Sequence, residues 1–311
     1  MRESPCSLFM KRRKTITVST RLTEVFQSAQ EIPFDDKSRL VFFSDCHRGD
    51  NSWTDRFAKN QSLFFYALER YFKEGFTYFE LGDGDELYED SHFSDIRYAH
   101  SHIFWRLREF YRAGRFHMIY GNHDKERADP KVVAQTLFTY IDDRTGQKEP
   151  LFEGIRVHEG LVLKHSPTGG KIFLVHGYQG DMINDQFWKF DRFLIRTLWR
   201  PLELLGVDDP TSPAKNFRKR DALERKIEEW IKEKNQPTIF GHTHRPSFAT
   251  EGEPPYFNDG SCVDPRCITG IEIDKGKIEL IKWSVTTDED GYLMVGKDIL
   301  AGPRKVASLF G

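Results

Sequence analysis

Cysteine is scarce in this sequence, which has four cysteines among 311 residues. A chain of this length buries a sizeable core without covalent cross-links, so a disulfide-rich scaffold is excluded. Sparse cysteine without a paired pattern is typical of proteins from a reducing compartment, and we therefore expect a cytoplasmic protein. We assign no chemical role to Cys46, Cys262 or Cys267.

An excess of charge of one sign is also missing. The 46 basic and 48 acidic side chains leave a formal net charge of -2, so the overall charge does not attract nucleic acid or an anionic membrane. No apolar run approaches the roughly 20 residues of a membrane-spanning helix. The basic run at residues 11–14 follows a stretch that is too short and too polar for a signal peptide, and we expect a solvated N-terminus there.

Strand-like and helix-like segments alternate in the first half of the chain. The runs 39–44, 76–81 and 116–120 are rich in β-forming residues, and 55–74 and 93–112 carry apolar residues at helical spacing. This order favours parallel strand pairing with right-handed crossovers. Two layers of sheet flanked by helices, an α/β sandwich, would bury both halves of the chain in one domain.

The second half has closely spaced strand candidates, and segments 161–165 and 171–176 are typical of a hairpin. Residues 181–235 interrupt the strands with a helical stretch that has the character of an inserted cap. One face of this insertion carries a basic stripe of Lys189, Arg192, Arg196 and Arg200. The stripe is interpreted as a solvated helix face, an anion-binding surface or a membrane contact. We predict an N-terminal extension (1–35), a main domain that includes the cap (36–290) and a C-terminal tail (291–311).

Polar side chains follow five of the predicted strands at the point where each strand ends. Seven of them are Asp, Asn or His, namely Asp45, His47, Asp83, Asn122, His176, His242 and His244. Ligands bind at strand ends in open α/β sheets, and carboxylate, imidazole and amide groups suit Mn, Fe, Zn, Co or Mg. The Asp45 and Gly82 motifs alone are more typical of a surface turn or loop, and the GHTH block is a stronger signal, but all five together indicate a metal site. Two metals roughly 3.5 to 4 Å apart would use all seven donors and suit displacement at phosphorus.

The motifs D-x-H, GD-x-x-[DE], GNH[DE], HG and GHTH, in this order, resemble those of the calcineurin-like metallophosphoesterase superfamily. The resemblance covers residues from 45 to about 261, and all five blocks match. It implies a four-layer α/β/β/α sandwich of two mixed sheets, with the helical insertion as a cap. It also implies two divalent metal ions, with manganese favoured over iron, zinc or cobalt.

The same resemblance implies a role for each motif residue. One metal would be held by Asp45, His47, Asp83 and His244, and the second by Asp83, Asn122, His176 and His242. Asp83 would bridge the two ions. Glu86 would orient His123, and His123 would be the catalytic residue at the scissile phosphate or leaving oxygen. Arg48 and Asn122 are candidates for contact with the substrate phosphate.

We therefore expect a phosphoesterase that hydrolyses a phosphorylated small-molecule or nucleotide-linked substrate through attack of a metal-bridged hydroxide. The insertion most resembles the UDP-2,3-diacylglucosamine pyrophosphatase branch, so the sequence is also compatible with a pyrophosphate hydrolase acting on a UDP-sugar or lipid-like substrate. That branch has Arg where this chain has His123. The same motifs are compatible with a serine/threonine protein phosphatase and with a catalytically silent scaffold. We expect no nucleic-acid partner, and membrane contact only through the cap.

Overall fold

The computed structural model of the chain describes residues 17–89, 92–179 and 217–310. Within these ranges two mixed β-sheets lie face to face, and helices cover both outer faces. The helices are α1 (Val18–Ser28), α2 (Gln61–Lys73), α3 (Phe93–Ala99), α4 (Ser101–Arg112), α5 (Pro130–Leu137) and α6 (Phe217–Lys234). Short 3₁₀ helices occupy Phe57–Lys59, Lys125–Ala128 and Val306–Leu309. None of the helices described has the length and hydrophobicity needed to cross a lipid bilayer.

The larger sheet has seven strands among the described residues. They are β2 (Leu40–Phe43), β3 (Thr77–Leu81), β4 (Phe116–Ile119), β7 (Val157–His158), β13 (Cys267–Asp274), β14 (Lys277–Thr287) and β15 (Leu293–Lys305). The order across the sheet is β15-β14-β13-β2-β3-β4-β7. Strands β2, β3, β4 and β7 are parallel, and β13 to β15 join them as an antiparallel meander.

The second sheet has six strands in the described ranges. They are β1 (Gln30–Phe34), β8 (Gly160–His165), β9 (Lys171–Val175), β10 (Thr238–Phe240), β11 (Ser247–Phe248) and β12 (Tyr256–Asn258), in the order β1-β8-β9-β10-β12-β11. Strands β8 and β9 pair antiparallel, which confirms the predicted hairpin. A separate small hairpin joins β5 (Thr139–Ile141) and β6 (Lys148–Pro150).

Three apolar cores separate the four layers. Alternate residues of a strand face opposite sides of a sheet, so a strand that lies between two cores must be apolar throughout. In β2, Phe42 packs between the two sheets, whereas Phe43 packs against α2 and α4. The third core lies outside the six-stranded sheet, where Leu22 of α1 packs near Trp230 of α6. The predicted α/β/β/α sandwich of two mixed sheets is therefore confirmed.

The two long helices predicted in the first half are shorter than expected. The first begins only at Gln61, after a 3₁₀ turn, and the second is divided into α3 and α4 at His100. The backbone of His100 leaves the helical region, with φ -113° and ψ 34°. Its Nε2 lies 2.8 Å from Asp55 Oδ2, and both side chains are fully buried. This long-range contact offsets the helical hydrogen bonding that is lost at the break.

The helical cap is not confirmed. Residues 181–216, including the basic stripe from Lys189 to Arg200, lie outside the described residues. The last part of the predicted insertion is α6, and its Ile227, Trp230 and Ile231 pack with α1 on the outer face of the six-stranded sheet. From Phe217 onward, this stretch therefore forms one of the four layers together with α1.

Both predicted terminal segments contribute to the sheets. Helix α1 and strand β1 lie within the range predicted as an N-terminal extension, and β15 lies within the predicted tail. Strand β1 pairs with β8, and β15 pairs with β14 over most of its length. The predicted boundaries at residues 35 and 290 therefore fall between elements that share cores with the main domain.

His117 on β4 makes the fold sensitive to acid. Its ring stacks on Phe79, with the ring centres 4.7 Å apart, and burial, with repulsion from His158, lowers the pKa of His117 to about 4. The unfolded chain binds this proton near pH ~6.5. The contribution of His117 to stability is therefore complete above that pH and falls as the pH drops toward 4, by up to about 3 kcal/mol.

The substitution His117→Leu should flatten this acid-dependent loss in the free energy of unfolding, measured by urea denaturation across the same pH range. His92→Leu is the matched control, because the His92 side chain is 71% exposed, and it should keep the wild-type pH dependence. Equal acid sensitivity in the wild type and His117→Leu would contradict this account.

Candidate metal centre

The candidate site forms where five strands of the two sheets end. Strands β2, β3 and β4 are parallel neighbours in the larger sheet, and β9 and β10 are parallel neighbours in the smaller one. The loops that follow them are joined through the backbone, since Asp45 N donates to Gly82 O at 3.1 Å and Gly241 N donates to His176 O at 3.0 Å. Cys262 N also donates to Asp45 O at 3.2 Å. The five predicted motifs are therefore brought together by tertiary pairing.

Glycine is required at position 82, where the second motif lies against the third and the fourth. A Cβ added there would lie 2.7 Å from His176 Cγ and 2.8 Å from Gly121 N, and the φ of Gly82 is +96°. Any side chain would push the second and fourth motifs apart. The Gly that precedes Asp83 thus allows carboxylate and imidazole ligands from different sheets to meet.

Five of the seven predicted ligands have left-handed backbones. The φ angles are 51° at Asp45, 46° at His47, 49° at Asp83, 66° at His242 and 54° at His244. Residues other than glycine rarely adopt this region, which costs about 1 kcal/mol or more each, and such residues cluster at functional sites.

The ligand atoms form two groups. Asp45, His47 and His244 make the first, and Asp83, His176 and His242 make the second, with the ligand atoms of each group within 4.8 Å of one another. In the first, His244 Nε2 lies 3.0 Å from Asp45 Oδ1. In the second, His176 Nε2 lies 3.1 Å from Asp83 Oδ2.

Asp83 lies between the two groups. Its Oδ2 is 3.9 Å from His47 Nε2 in the first group and 3.1 Å from His176 Nε2 in the second. Its Oδ1 accepts a hydrogen bond from His123 N at 2.8 Å, which fixes the carboxylate to the third motif. A carboxylate oxygen near both groups is compatible with a ligand that bridges two cations.

The donors fit divalent cations because several are buried without a hydrogen-bond partner. Among the described residues these atoms include Asp45 Oδ1, Asn122 Oδ1, His176 Nε2 and His242 Nε2. Leaving such an atom unsatisfied costs about 1–3 kcal/mol. His176 Nδ1 donates to the Leu81 carbonyl oxygen at 2.8 Å, which leaves Nε2 as the nitrogen that can bind a metal. Bound cations would give these four atoms a partner.

Burial and charge set the protonation of these groups. Burial, reinforced by repulsion from His176, lowers the pKa of His242 to about 3, so this imidazole is neutral as a metal ligand must be. Burial opposes protonation of His176, but Asp83 and Asp45 outweigh it and raise the pKa of His176 to about 9. The same carboxylates would attract a divalent cation in place of that proton.

Glu86 contacts two histidines at once. Its Oε2 lies 2.7 Å from His47 Nδ1, and its Oε1 lies 2.7 Å from His123 Nδ1. The rings of His47 and His123 meet edge to face, with centres 4.5 Å apart. Burial opposes protonation of His123, but Glu86 and Asp83 outweigh it and raise the pKa of His123. Glu86 thus adjoins His123, as predicted from the sequence, and also His47, which was not predicted.

The position of Arg48 contradicts the prediction that it contacts a substrate phosphate. Its side chain is fully buried, and its Nη1 and Nη2 donate to Glu80 at 2.7 and 2.9 Å, while its Nε donates to Asp85 at 2.6 Å. Its neighbour His47 belongs to the first ligand group, so these two adjacent side chains make different contacts. Arg48 therefore points behind the site.

Behind the ligands lies a buried ion network that the sequence did not reveal. Arg127 donates to Asp85 and, at 3.2 Å, to Asp124. Asp124 also accepts from Gly121 N at 2.6 Å and from Gly84 N at 3.2 Å. Together with Arg48 this network joins the loops after β2, β3 and β4. The only sequence signal was the acidic residue that ends the GNH[DE] block.

A second set of hydrogen bonds, separate from the ion network, holds Asp45 in place. Ser44 Oγ has one proton but contacts two carboxylates, Asp45 Oδ2 and, at 2.6 Å, Asp259 Oδ1. Burial, with repulsion from Asp45, raises the pKa of Asp259 well above its usual value, so Asp259 carries the proton that makes both contacts hydrogen bonds. His242 N also donates to Asp45 Oδ2 at 2.7 Å. Both interactions occupy Oδ2 and leave Oδ1 for the first ligand group.

One protein family and several solved structures are similar to this chain. The family model for calcineurin-like phosphoesterases matches residues 38–264, which contain both ligand groups. No curated protein matches the chain.

Several solved structures match this chain at low identity. Vps29 from Chaetomium thermophilum is 12% identical, with a TM-score of 0.38, over 85% of this chain and 96% of its own. Vacuolar protein sorting 29 from Cryptosporidium parvum is 14% identical, with a TM-score of 0.35, over 85% of this chain and 98% of its own. A putative 5'-nucleotidase from Staphylococcus aureus is 15% identical, with a TM-score of 0.33, over 85% of this chain and 54% of its own.

The substitution Arg48→Met should lower the free energy of unfolding by about 3 kcal/mol or more, because it leaves Glu80 and Asp85 buried without their counter-charge. Chemical denaturation of the metal-free protein measures this loss. Arg70→Met is the matched control, since Arg70 is 52% exposed in its pair with Glu74, and it should cost about 1 kcal/mol or less. Equal stability of the two variants would show that the network is not needed for folding.

Proposed function

The chain belongs to the calcineurin-like phosphoesterase family, and we propose that it hydrolyses phosphate esters with two divalent metal ions. The observation that carries this proposal is the meeting of two groups of ligand atoms at the strand ends, with Asp83 between them. One ion would be held by Asp45, His47, Asp83 and His244, and the other by Asp83, Asn122, His176 and His242.

The donor set supports this choice of cofactor. Carboxylate, imidazole and amide ligands suit manganese, iron, zinc or cobalt, and manganese is the ion that we favour. Two bound ions would lower the pKa of a water molecule and offset negative charge on the phosphoryl oxygens. The protein contributes the fixed positions of the ligands. The buried ion network and the hydrogen bonds of Ser44 and Asp259 hold these positions before the ions bind.

Within this site, His123 is the residue that we propose acts on the substrate. Its side chain is 25% exposed, whereas that of Glu86 is 10% exposed. Because Glu86 engages Nδ1, the proton on Nε2 is the one available to a leaving oxygen. The negative charge of Glu86 favours the imidazolium form, which stabilises or protonates that oxygen as the ester bond breaks. Glu86 acts through His123 and is a positioning residue.

For the substrate we propose a phosphorylated small molecule. A nucleotide-linked pyrophosphate and a phosphoprotein present a similar phosphorus centre. Measured turnover of each is therefore needed to distinguish these three substrate classes. A silent scaffold is less compatible with the site, because His123, Glu86 and all seven proposed ligands are present, and six of the seven lie in the two ligand groups. Free, buried Cys46 and Cys262 are consistent with the cytoplasmic location that we also propose.

The proposal is tested by loading the purified protein with manganese and comparing a chromogenic phosphomonoester, a phosphodiester, nucleotide sugars and a phosphopeptide. We expect turnover of at least one of them, with two metals counted per chain in the same sample. The variant Asp83→Asn, purified in parallel, controls for contaminating phosphatases. Two bound metals without turnover of any substrate would favour the scaffold.

Asp83→Asn should reduce the occupancy of both metal sites, because an amide lacks the charge and the second ligand oxygen that bridge two cations. Metal content after dialysis against metal-free buffer measures this. Asp95→Asn is the matched control, since Asp95 is 65% exposed, and it should retain two metals. If Asp83→Asn also retains two, Asp83 is not the bridge.

His123→Ala should lower kcat by about 10²-fold or more while two metals remain bound, because it removes a proton donor that is not a ligand. His92→Ala controls for the loss of a solvent-exposed histidine. Steady-state kinetics and metal counting on the same preparation separate the two effects. Unchanged kcat would remove His123 from the mechanism, and lost metal would make it a ligand.

A further inference from the structure

Strand β15 is a long strand at the edge of the seven-stranded sheet. Within the described ranges no strand pairs with its outer side, and it is 13 residues long. Proteins normally protect such edges with short strands, charge, proline or irregular backbone. In β15 the irregular pairing and Pro303 are confined to the C-terminal end. From residue 293 to residue 299 its pairing with β14 is regular, so this part can accept another strand.

The regular part of this edge exposes large apolar side chains. Leu293 is 79% exposed, Ile299 is 53% exposed and Met294 is 46% exposed. Leu293 and Ile299 lie on the same face of the sheet, because alternate residues of a strand share a face. Exposed apolar residues that lie together on an edge strand favour pairing, since a second strand would bury them and satisfy the free backbone groups.

We propose that β15 pairs antiparallel with β15 of a second copy of this chain, which joins two seven-stranded sheets into one across a two-fold axis. Gly296 lies at the middle of the regular part, and a Cβ there would meet only Thr286 Cγ2, at 3.7 Å. Glycine within a strand often marks the close approach of another backbone. With the axis at Gly296, Leu293 of each copy lies opposite Ile299 of the other, and both apolar side chains are covered.

The charges at the two ends of the edge select a second copy as the partner. The turn between β14 and β15 carries three exposed acids, Asp288, Glu289 and Asp290. At the opposite end, Lys277 and Lys305 are exposed and paired across β14 and β15. Among the ion pairs of the described residues, none involves these five side chains. Antiparallel pairing brings the acidic turn of each copy beside the basic end of the other, at both ends of the interface.

The apolar part of the proposal is tested by the mass of the wild-type protein in solution. We expect a dimer by light scattering or sedimentation equilibrium, and a monomer for Ile299→Lys under the same conditions. Ile141→Lys is the matched control, because Ile141 is 54% exposed on the separate β5–β6 hairpin, and it should stay dimeric. A monomeric wild type at the highest soluble concentration, or a dimeric Ile299→Lys, would overturn the proposal.

The charge pattern allows a sharper test by complementation. One variant combines Glu289→Lys and Asp290→Lys, and the other combines Lys277→Glu and Lys305→Glu. Each alone places like charges at both ends and should be a folded monomer by circular dichroism and light scattering. Their equimolar mixture should form a heterodimer, because opposite charges then meet at both ends. Asp288 is kept, since its Oδ1 accepts from Asp290 N at 3.1 Å and Tyr292 N at 2.8 Å within the turn.

Failure of the mixture to form a heterodimer, with both variants folded and monomeric, would show that β15 does not pair in this register. A dimer that persists in both separate variants would show that another surface holds the copies together. Neither result bears on the phosphoesterase proposal, because all four substituted residues lie outside the ligand groups and their supporting contacts.

Discussion

Buried negative charge is the constraint on which the rest of the structure depends. Six carboxylates are buried around the strand ends, namely Asp45, Glu80, Asp83, Asp85, Glu86 and Asp124. An uncompensated buried carboxylate costs several kcal/mol, so each needs a counter-charge or several donors. Behind the site, Arg48 and Arg127 supply the counter-charges. In front, the carboxylates face imidazoles, and divalent cations would complete the balance.

This division of charge explains how the three loops after β2, β3 and β4 keep fixed positions. Arg48 follows β2, Asp85 follows β3, and Asp124 and Arg127 follow β4, so each ion pair joins one loop to the next. The strained backbones of Asp45, His47 and Asp83 persist because these contacts and the backbone bonds between loops restrain them. The ligands are thus held before a metal arrives, which reduces the reorganisation that binding would require.

The sequence was sufficient for the layers and for the placement of the candidate ligands at strand ends, because both follow from local rules. Apolar runs of four or five residues predict buried strands, and Asp or His directly after them predicts a site at the sheet edge. The sequence was insufficient for the role of Arg48, because its position next to His47 suggested a contact with the substrate phosphate. Nothing local distinguishes an arginine that faces substrate from one that faces Glu80, 32 residues further along the chain. The break at His100 has the same origin, since its partner Asp55 lies 45 residues away.

The net charge of the chain is close to zero and gives no sign of this separation of charge around the site. Acidic and basic side chains come together only in the folded structure. By itself, the sequence determined the fold class, the order of the motifs and the chemistry of seven donors, since residue type and spacing carry that information. The tertiary structure decided which donors meet, that Asp83 Oδ2 lies near both groups, that Arg48 serves the buried network and that β15 is an edge strand among the described residues. Those outcomes depend on contacts between residues far apart in the chain, and local sequence pattern does not encode such contacts.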